Sequence, residues 1–229
     1  MHTTKWSFEV PIPHLRDFHE DQDFVFALQH LCKDGEYRRY LQTCDKFIIL
    51  DNSSNEKVQP CSVQELVTTA IDMQAGLIIA PDCDEWSVDA TVEKWLETQR
   101  LASAVQVNVF GVFRTREEKK ALERAGCHFF TIPYEYRFTQ PLSVPYSRVH
   151  FLGLNNPLEV RVMKPASVDT GMPIKLALRG MTVAQWMLQA CPHFHTLQEE
   201  EYLHKEMSDE EIRLSKENIK EIKRVCSLP

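Results

Sequence analysis

The apolar run "KFIIL" (46–50) passes without a glycine or proline into Asp51 and Asn52. Two further aspartates stand in comparable places, Asp82 behind "GLIIAP" and Asp169 inside "ASVDT". A carboxylate at the end of a buried strand can simply cap the next helix, or it can serve as an acid, a base or a nucleophile. Three of them converging on one surface, with Arg114 of "VFGVFR" nearby, would repel one another and shift their protonation unless something bound between them. Whether they converge depends on the elements that carry them.

From residue 46 onward short β-rich runs alternate with stretches of helical spacing. Strands are expected at "KFIIL", "GLIIA" (76–80), "VQVNVFGVF" (105–113), "HFFTIP" (128–133), "RVHFLGL" (148–154) and "ASVDT" (166–170). Helices are expected from Ser62 to Met73, where "SVQE" forms a capping box, near Ala90 to Ala102, over "TREEKKALERAG" between an N-cap at Thr115 and a C-cap at Gly126, and briefly from Asn155. The opening "WSFEVPIPHL" supplies a first strand, and "DFVFALQHLCKDGEYRRYLQTC" reads as the helix after it. This order favours an α/β fold closed as a (β/α)8 TIM-like barrel, with room for irregularity. An open doubly wound sheet would need a Gly-rich phosphate loop after its first strand, and the chain has only seven glycines. A single domain over 1–229 is expected, ending in a helical extension from about 181 to 229 that holds "MTVAQWMLQA" and "SDEEIRLSKENIKEIKRV". Ser208 caps the second of these, and Ile212, Leu214, Ile219 and Ile222 form its apolar stripe.

In such a barrel the C-terminal ends of the strands share one face, where barrel enzymes place their chemistry. That face would collect Asp51, Asn52, Asp82, Gly111, Arg114, Gly153, Leu154 and Asp169.

A net charge of −7 argues against a nonspecific nucleic-acid coat, because phosphate affinity comes largely from Lys and Arg. It leaves room for a local basic face. Arg161, Lys164, Lys175 and Arg179 surround Asp169 in sequence and would suit phosphates flanking a flipped-out nucleotide, with ordinary surface charge as the plainer account. Neither a membrane span nor a signal peptide is visible, so a cytoplasmic protein is expected. Seven scattered cysteines read as free thiols. "CPHFH" (191–195) matches no common zinc spacing, and "DCDE" (82–85) reads as the acidic start of a helix, so neither metal nor cofactor is expected.

The order of these segments resembles the tRNA-guanine transglycosylase family and its shorter DNA-acting relatives, the DNA-guanine transglycosylases of 7-deazaguanine modification in phages and bacterial islands. "LDNSSNE" resembles the family's Asp-Ser-Gly-Gly-aromatic-Gln segment, "APDCDEW" its Asp-Glu-Cys, "VFGVFR" its Gly-Ile-Val-Gln, "FLGLNNPLE" its Gly-Leu-(Ala/Ser)-Val-Gly-Glu and "SVDTGMPIKLA" its Phe-Asp-Cys-Val-x-Pro-Thr-Arg. The resemblance covers about residues 46 to 180. It implies Asp169 as nucleophile at the sugar C1′, Asp51 as general acid/base or geometric support, and Asp82 as acceptor for the donor edge of a guanine-like base. The backbone of Gly153 and Leu154 would meet the base's other substituents, with Asn52, Gly111 and Arg114 beside them. Ser53-Ser54 replaces the Gly-Gly, Asn55 the aromatic and Arg114 the Gln of the family's segments. The Cys-x-Cys-x-x-Cys…His zinc site of the tRNA enzymes is absent, which favours DNA and a free 7-deazaguanine base as partners, with a helper protein as a further partner, in a bacterial or phage-infected host cytoplasm. The alternatives are base exchange in tRNA, a non-catalytic nucleic-acid-binding paralogue paired with a longer subunit, and a nucleoside hydrolase or deoxyribosyltransferase.

Overall fold

The computed structural model describes residues 3–53, 61–81, 87–137, 146–154, 156–189 and 199–227. Asp82, Asn155 and the "CPHFH" segment lie outside them, as does most of the Pro-containing stretch 137–147. Eight parallel strands form one curved sheet: β1 (Lys5–Phe8), β2 (Val25–Leu28), β3 (Ile48–Asp51), β4 (Leu77–Ile79), β5 (Asn108–Val112), β6 (Phe130–Pro133), β7 (Val149–Leu152) and β8 (Ser167–Thr170). Their order is β1-β8-β7-β6-β5-β4-β3-β2, so the chain winds once around a barrel. Helices return it between strands: α1 (Gly35–Thr43), α2 (Val63–Asp72), α3 (Val88–Ser103), α4 (Arg116–Arg124) and α5 (Pro157–Met163). The capping boxes at Ser62 and Thr115 form, and Gly126 takes φ +95° just past α4, a conformation that favours glycine.

One expected element is different. "DFVFALQHLCKDGEYRRYLQTC" is not one helix but β2, a 3-10 turn over Gln29–Lys33 and then α1, which Asp34 caps by accepting from the backbone of Glu36 and Tyr37. A parallel strand is buried on both faces, so "FVFAL" carries no alternation to distinguish it from a helix.

Alternation within each strand separates two cores. Phe24, Ile49, Leu77, Ile79, Phe110 and Val112 fill the barrel interior, while Trp6, Phe8, Ile48, Leu50, Ile78 and Val168 belong to the larger core between sheet and helices. Gly111 is on the outer face: a Cβ there would meet Cys127 Sγ at 2.9 Å and Leu122 Cδ1 at 3.0 Å. It lets α4 pack closely on β5 and presents nothing to the interior, which corrects its expected role in base binding.

β1 and β2 share no ladder, and side chains close the seam between them. Ser7 Oγ donates to Gln22 Oε1 (2.9 Å) and accepts from Phe26 N–H (2.9 Å). Phe8 N–H reaches the same Gln22 oxygen (3.3 Å), Trp6 N–H donates to Asp23 Oδ2 (2.9 Å), and Asp23 N–H donates to the Trp6 carbonyl (2.8 Å).

Beyond β8 come α6 (Met172–Ala177), α7 (Val183–Leu188), α8 (Glu199–Leu203) and α9 (Asp209–Ser227). Ser208 caps α9 with Glu211, and Ile219 and Ile222 are buried, as the apolar stripe predicts. Asn218 holds α9 against its neighbours: its amide donates to the carbonyls of Pro173 (3.1 Å) and Met181 (3.0 Å), and its oxygen accepts from Val183 N–H (2.9 Å). Tyr202 on α8 donates from its hydroxyl to the Glu9 carbonyl at the end of β1. Among the described residues no helix is long and apolar enough to cross a membrane, and Cys32, Cys44, Cys61, Cys127 and Cys226 are free thiols.

Because Gln22 is buried, Gln22→Ala strands the Ser7 hydroxyl and Phe8 N–H at the seam. The expected loss is about 1–3 kcal/mol. It should appear in urea unfolding as a lower midpoint at unchanged slope.

Candidate active site

Asp169 is third of four residues in β8, in phase with the interior, and lies opposite Ser7 of β1. One carboxylate oxygen, Oδ1, accepts from Gly153 N–H (3.2 Å) and contacts His150 Nε2 (3.1 Å). The other has no hydrogen-bond partner among the described residues. His150, inward on β7 and fully buried, stacks between Phe26 and Phe110 at centroid distances of 5.4 and 5.8 Å. Its Nδ1 is 2.8 Å from Ser167 Oγ, so a hydroxyl, an imidazole and a carboxylate form one chain through the barrel. With Nε2 protonated, the ring donates to Asp169 and accepts from Ser167.

Gly153 takes φ +66° in the turn after β7, and both its backbone groups are engaged. Its N–H holds Asp169, and its carbonyl accepts from Arg137 Nη2 (2.8 Å), while Arg137 Nη1 donates to the Leu152 carbonyl (3.1 Å). Arg137 is buried over the Phe151 ring at 4.5 Å. Its Nε approaches Glu159 Oε2 to 2.8 Å without the alignment of a hydrogen bond, so this buried contact is an ion pair. Burial pulls the Arg137 pKa down, and the Glu159 and Asp169 carboxylates oppose that. Gly153 therefore positions Asp169 instead of reading a base, which corrects its expected role, and the Leu154 side chain is buried in the outer core.

Asp51 ends β3 opposite Leu28, in phase with the interior and at the same end of the barrel as Asp169. Its Oδ2 accepts from Ser53 N–H (2.7 Å), which sustains the left-handed turn at Ser53 (φ 59°). Asn52 donates to the Ala80 carbonyl (3.0 Å), tying β3 to β4. Arg114 is buried, with its N–H on Glu118 Oε2 (2.6 Å) and its Nη1 3.6 Å from Oε1 of the same residue. Through these contacts Asn52 and Arg114 brace the rim.

A recess of about 70 Å³ opens at the seam, lined by Glu9, Phe26, Leu28, Leu203 and Asp169 among others. Glu9 follows β1 and receives Lys175 Nζ at 3.2 Å, and Lys175 lies 4.6 Å from the centre of the Tyr202 ring. Of the four expected phosphate contacts, Lys175 alone stands beside Asp169. Lys164 ends α5, next to Ala166, whose N–H donates to the carbonyl of Val149, the first residue of β7. Lys164 is therefore at the opposite end of the barrel, which corrects its placement, and Arg161 lies partway along α5 toward that end. Arg179 is exposed two residues past α6, roughly 9 Å along that helix from the rim.

His150 and Glu9 were not anticipated. His150 is the polar residue in an inward phase of "RVHFL", and Glu9 is the strand-end carboxylate of "WSFE", the same signal that marks Asp51.

Fold and rim define an eight-stranded α/β barrel with a buried acid on its C-terminal face. Similar solved structures include the YdjI aldolase from Escherichia coli K12 (13% identity, 99% of this chain and 92% of that one, TM-score 0.60). Others are a 4-hydroxy-2-oxoglutarate/2-dehydro-3-deoxyphosphogluconate aldolase from TTHB1 (12%, 99% and 94%, 0.56) and monomers of phosphoribosylanthranilate isomerase from Thermotoga maritima (14%, 96% and 99%, 0.51). At these identities the likeness is one of fold. No family model and no curated protein matches the chain.

Arg137→Met removes the cation that faces buried Glu159, together with the donors to Leu152 and Gly153. A loss of about 3–5 kcal/mol is expected, with the double variant Arg137→Met/Glu159→Leu losing less than the two single changes summed. Thermal or denaturant unfolding of the three variants checks this.

His30, in the turn after β2, has its pKa lowered by burial and by the nearby Lys33 charge, and its Nδ1 is buried without a partner among the described residues. The unfolded chain then binds the proton more readily, so this residue's contribution to stability falls as pH drops below about 6.5. His30→Gln should show a smaller decline in unfolding midpoint than the parent between about pH 7.5 and about pH 5.5.

Proposed function

We propose that this barrel is a pentosyltransferase that exchanges guanine in DNA for a 7-deazaguanine base through a covalent Asp169-glycosyl intermediate. The observation that carries the reading is the state of Asp169: inward on the rim, one oxygen held by His150 and Gly153, the other unpartnered beside a recess. A carboxylate fixed in this way has a defined line of attack, and its imidazole and N–H contacts stabilise the negative charge in its resting form.

In the first half-reaction a lone pair of the unpartnered oxygen forms a bond to the sugar C1′ as the C1′–N9 bond breaks. The electron pair leaves on guanine, which takes up a proton. In the second, N9 of the incoming base attacks C1′, loses its proton and releases Asp169, so two inversions give net retention. Asp51, on the same rim, is the residue proposed to exchange these protons. His150 keeps its place against Asp169 and acts as a positioning residue. Lys175 is the nearest cation for a phosphate flanking the flipped-out nucleotide. The ordered resemblance of the rim segments to the guanine transglycosylases supports the choice of base and polymer, and the missing zinc segment of the tRNA enzymes supports DNA.

Incubating the protein with DNA and a labelled 7-deazaguanine should transfer label to the polymer, and Asp169→Ala should reduce the transfer by at least about 10³-fold. Denaturing gels of protein incubated with DNA should show a covalent adduct in the parent and none in Asp169→Ala. Undiminished exchange in that variant would rule out Asp169 as nucleophile. Label transfer to tRNA in preference to DNA would move the activity to the other polymer.

A further inference from the structure

At the opposite end of the barrel, the 3-10 turn His19–Asp21 leads into β2, and Cys44 and Asp45 join α1 to β3. One ligand atom each from His19, Cys44 and Asp45 lie within 4.8 Å of one another. They border a cleft of about 400 Å³ that also includes Arg16, Glu20, Tyr40 and Thr43. We propose that His19, Cys44 and Asp45 form a binding site for a zinc-type divalent cation.

The ligand set is chemically coherent, since an imidazole, a thiolate and a carboxylate are the three ligands zinc takes from proteins. Two details beyond proximity point to a ligand. His19 Nδ1 is 3.1 Å from the Tyr40 hydroxyl, which orients the ring and leaves Nε2 toward Asp45, the outer contact expected of a metal-binding histidine. The Lys46 N–H donates to Cys44 Sγ from 3.3 Å, two residues on, and fixes the sulfur's place in the cluster. His19 Nε2 and Asp45 Oδ1 are 2.9 Å apart, close to the spacing of two ligands on one ion with bonds of about 2 Å. Asp45 is highly exposed and can swing to adjust. Three protein ligands beside an open cleft leave a coordination position for water or a small anion, for which Arg16 is the adjacent cation.

The site would join the segment that closes the β1–β2 seam to the helix packed behind it. Stability is accordingly the first readout, and it is independent of any exchange activity.

The full chain, freed of metal with a chelator, would be titrated with Co²⁺ and, separately, with Zn²⁺. The expected result is one Co²⁺ per chain with a sulfur-to-cobalt charge-transfer band in the near ultraviolet, and a higher melting temperature with Zn²⁺. Cys44→Ser should lose the charge-transfer band, and His19→Ala should weaken binding at least tenfold. Cys226→Ser, at a free thiol on α9 that donates to the Pro157 carbonyl, should leave both signals as in the parent. Circular dichroism establishes that each variant is folded; should His19→Ala unfold, Asp45→Asn, on an exposed side chain, gives the second test. Absence of cobalt binding by the parent, or an unchanged band in Cys44→Ser, would overturn the proposal.

Discussion

The barrel is held closed at its seam by side chains. Where β1 and β2 would exchange backbone hydrogen bonds, Gln22 and Ser7 supply the missing partners, and both are buried, so neither contact competes with water. This closure sets the position of β1 and, through the Ser7–Asp169 register, the height of the rim acid on β8. A ladder would draw the two strands together along their whole length. Side-chain bridges leave space above Ser7, and there the recess beside Asp169 opens.

The charged groups near the rim fall into two sets with different surroundings. Arg137 and Glu159 are excluded from solvent, and the guanidinium points its remaining donors at the turn after β7, so the pair's contribution is to fix Gly153. Glu9 and Lys175 are partly exposed, and their mutual attraction is correspondingly weak in water. A buried pair holds a backbone in one geometry, whereas a partly exposed one leaves both side chains room to move. His150 belongs with the first set: confined between Phe26 and Phe110, it has no space to rotate away from Asp169.

Much of this was legible in the sequence, because helix caps and short apolar runs are local signals. Ser62, Thr115 and Ser208 mark helix starts as read, and seven of the eight strands follow from their own residues. β2 was not legible, since "FVFAL" satisfies a helical and a doubly buried strand pattern equally well. The strand-end places of Asp51 and Asp169 are legible in the same way, whereas their inward phase is not, because a doubly buried run such as "KFIIL" shows no alternation. Other residues required the third dimension. A glycine does not show which face it serves, so Gly111 could not be assigned to the packing of α4 on β5. Arg161 and Lys164 are close to Asp169 in sequence, but α5 leads away from the rim and leaves Lys164 at the far end of the barrel before β8 returns. Arg114 reads as a rim cation until Glu118, one helical turn on, is seen to hold it.

In the proposed exchange the same contacts suit the two rim carboxylates to different roles. Asp51 spends one oxygen on the Ser53 N–H at 2.7 Å, in a turn whose left-handed backbone depends on that bond, and its burial limits approach by anything as large as a sugar. A group so held can pass a proton without moving, since proton transfer needs only hydrogen-bond contact. Attack at carbon asks for more: an oxygen lone pair that can come within bonding distance of C1′, and a carboxylate that stays anchored when a bulky group is attached to it. Asp169 meets both conditions because its anchoring contacts fall on the same oxygen, leaving the other available.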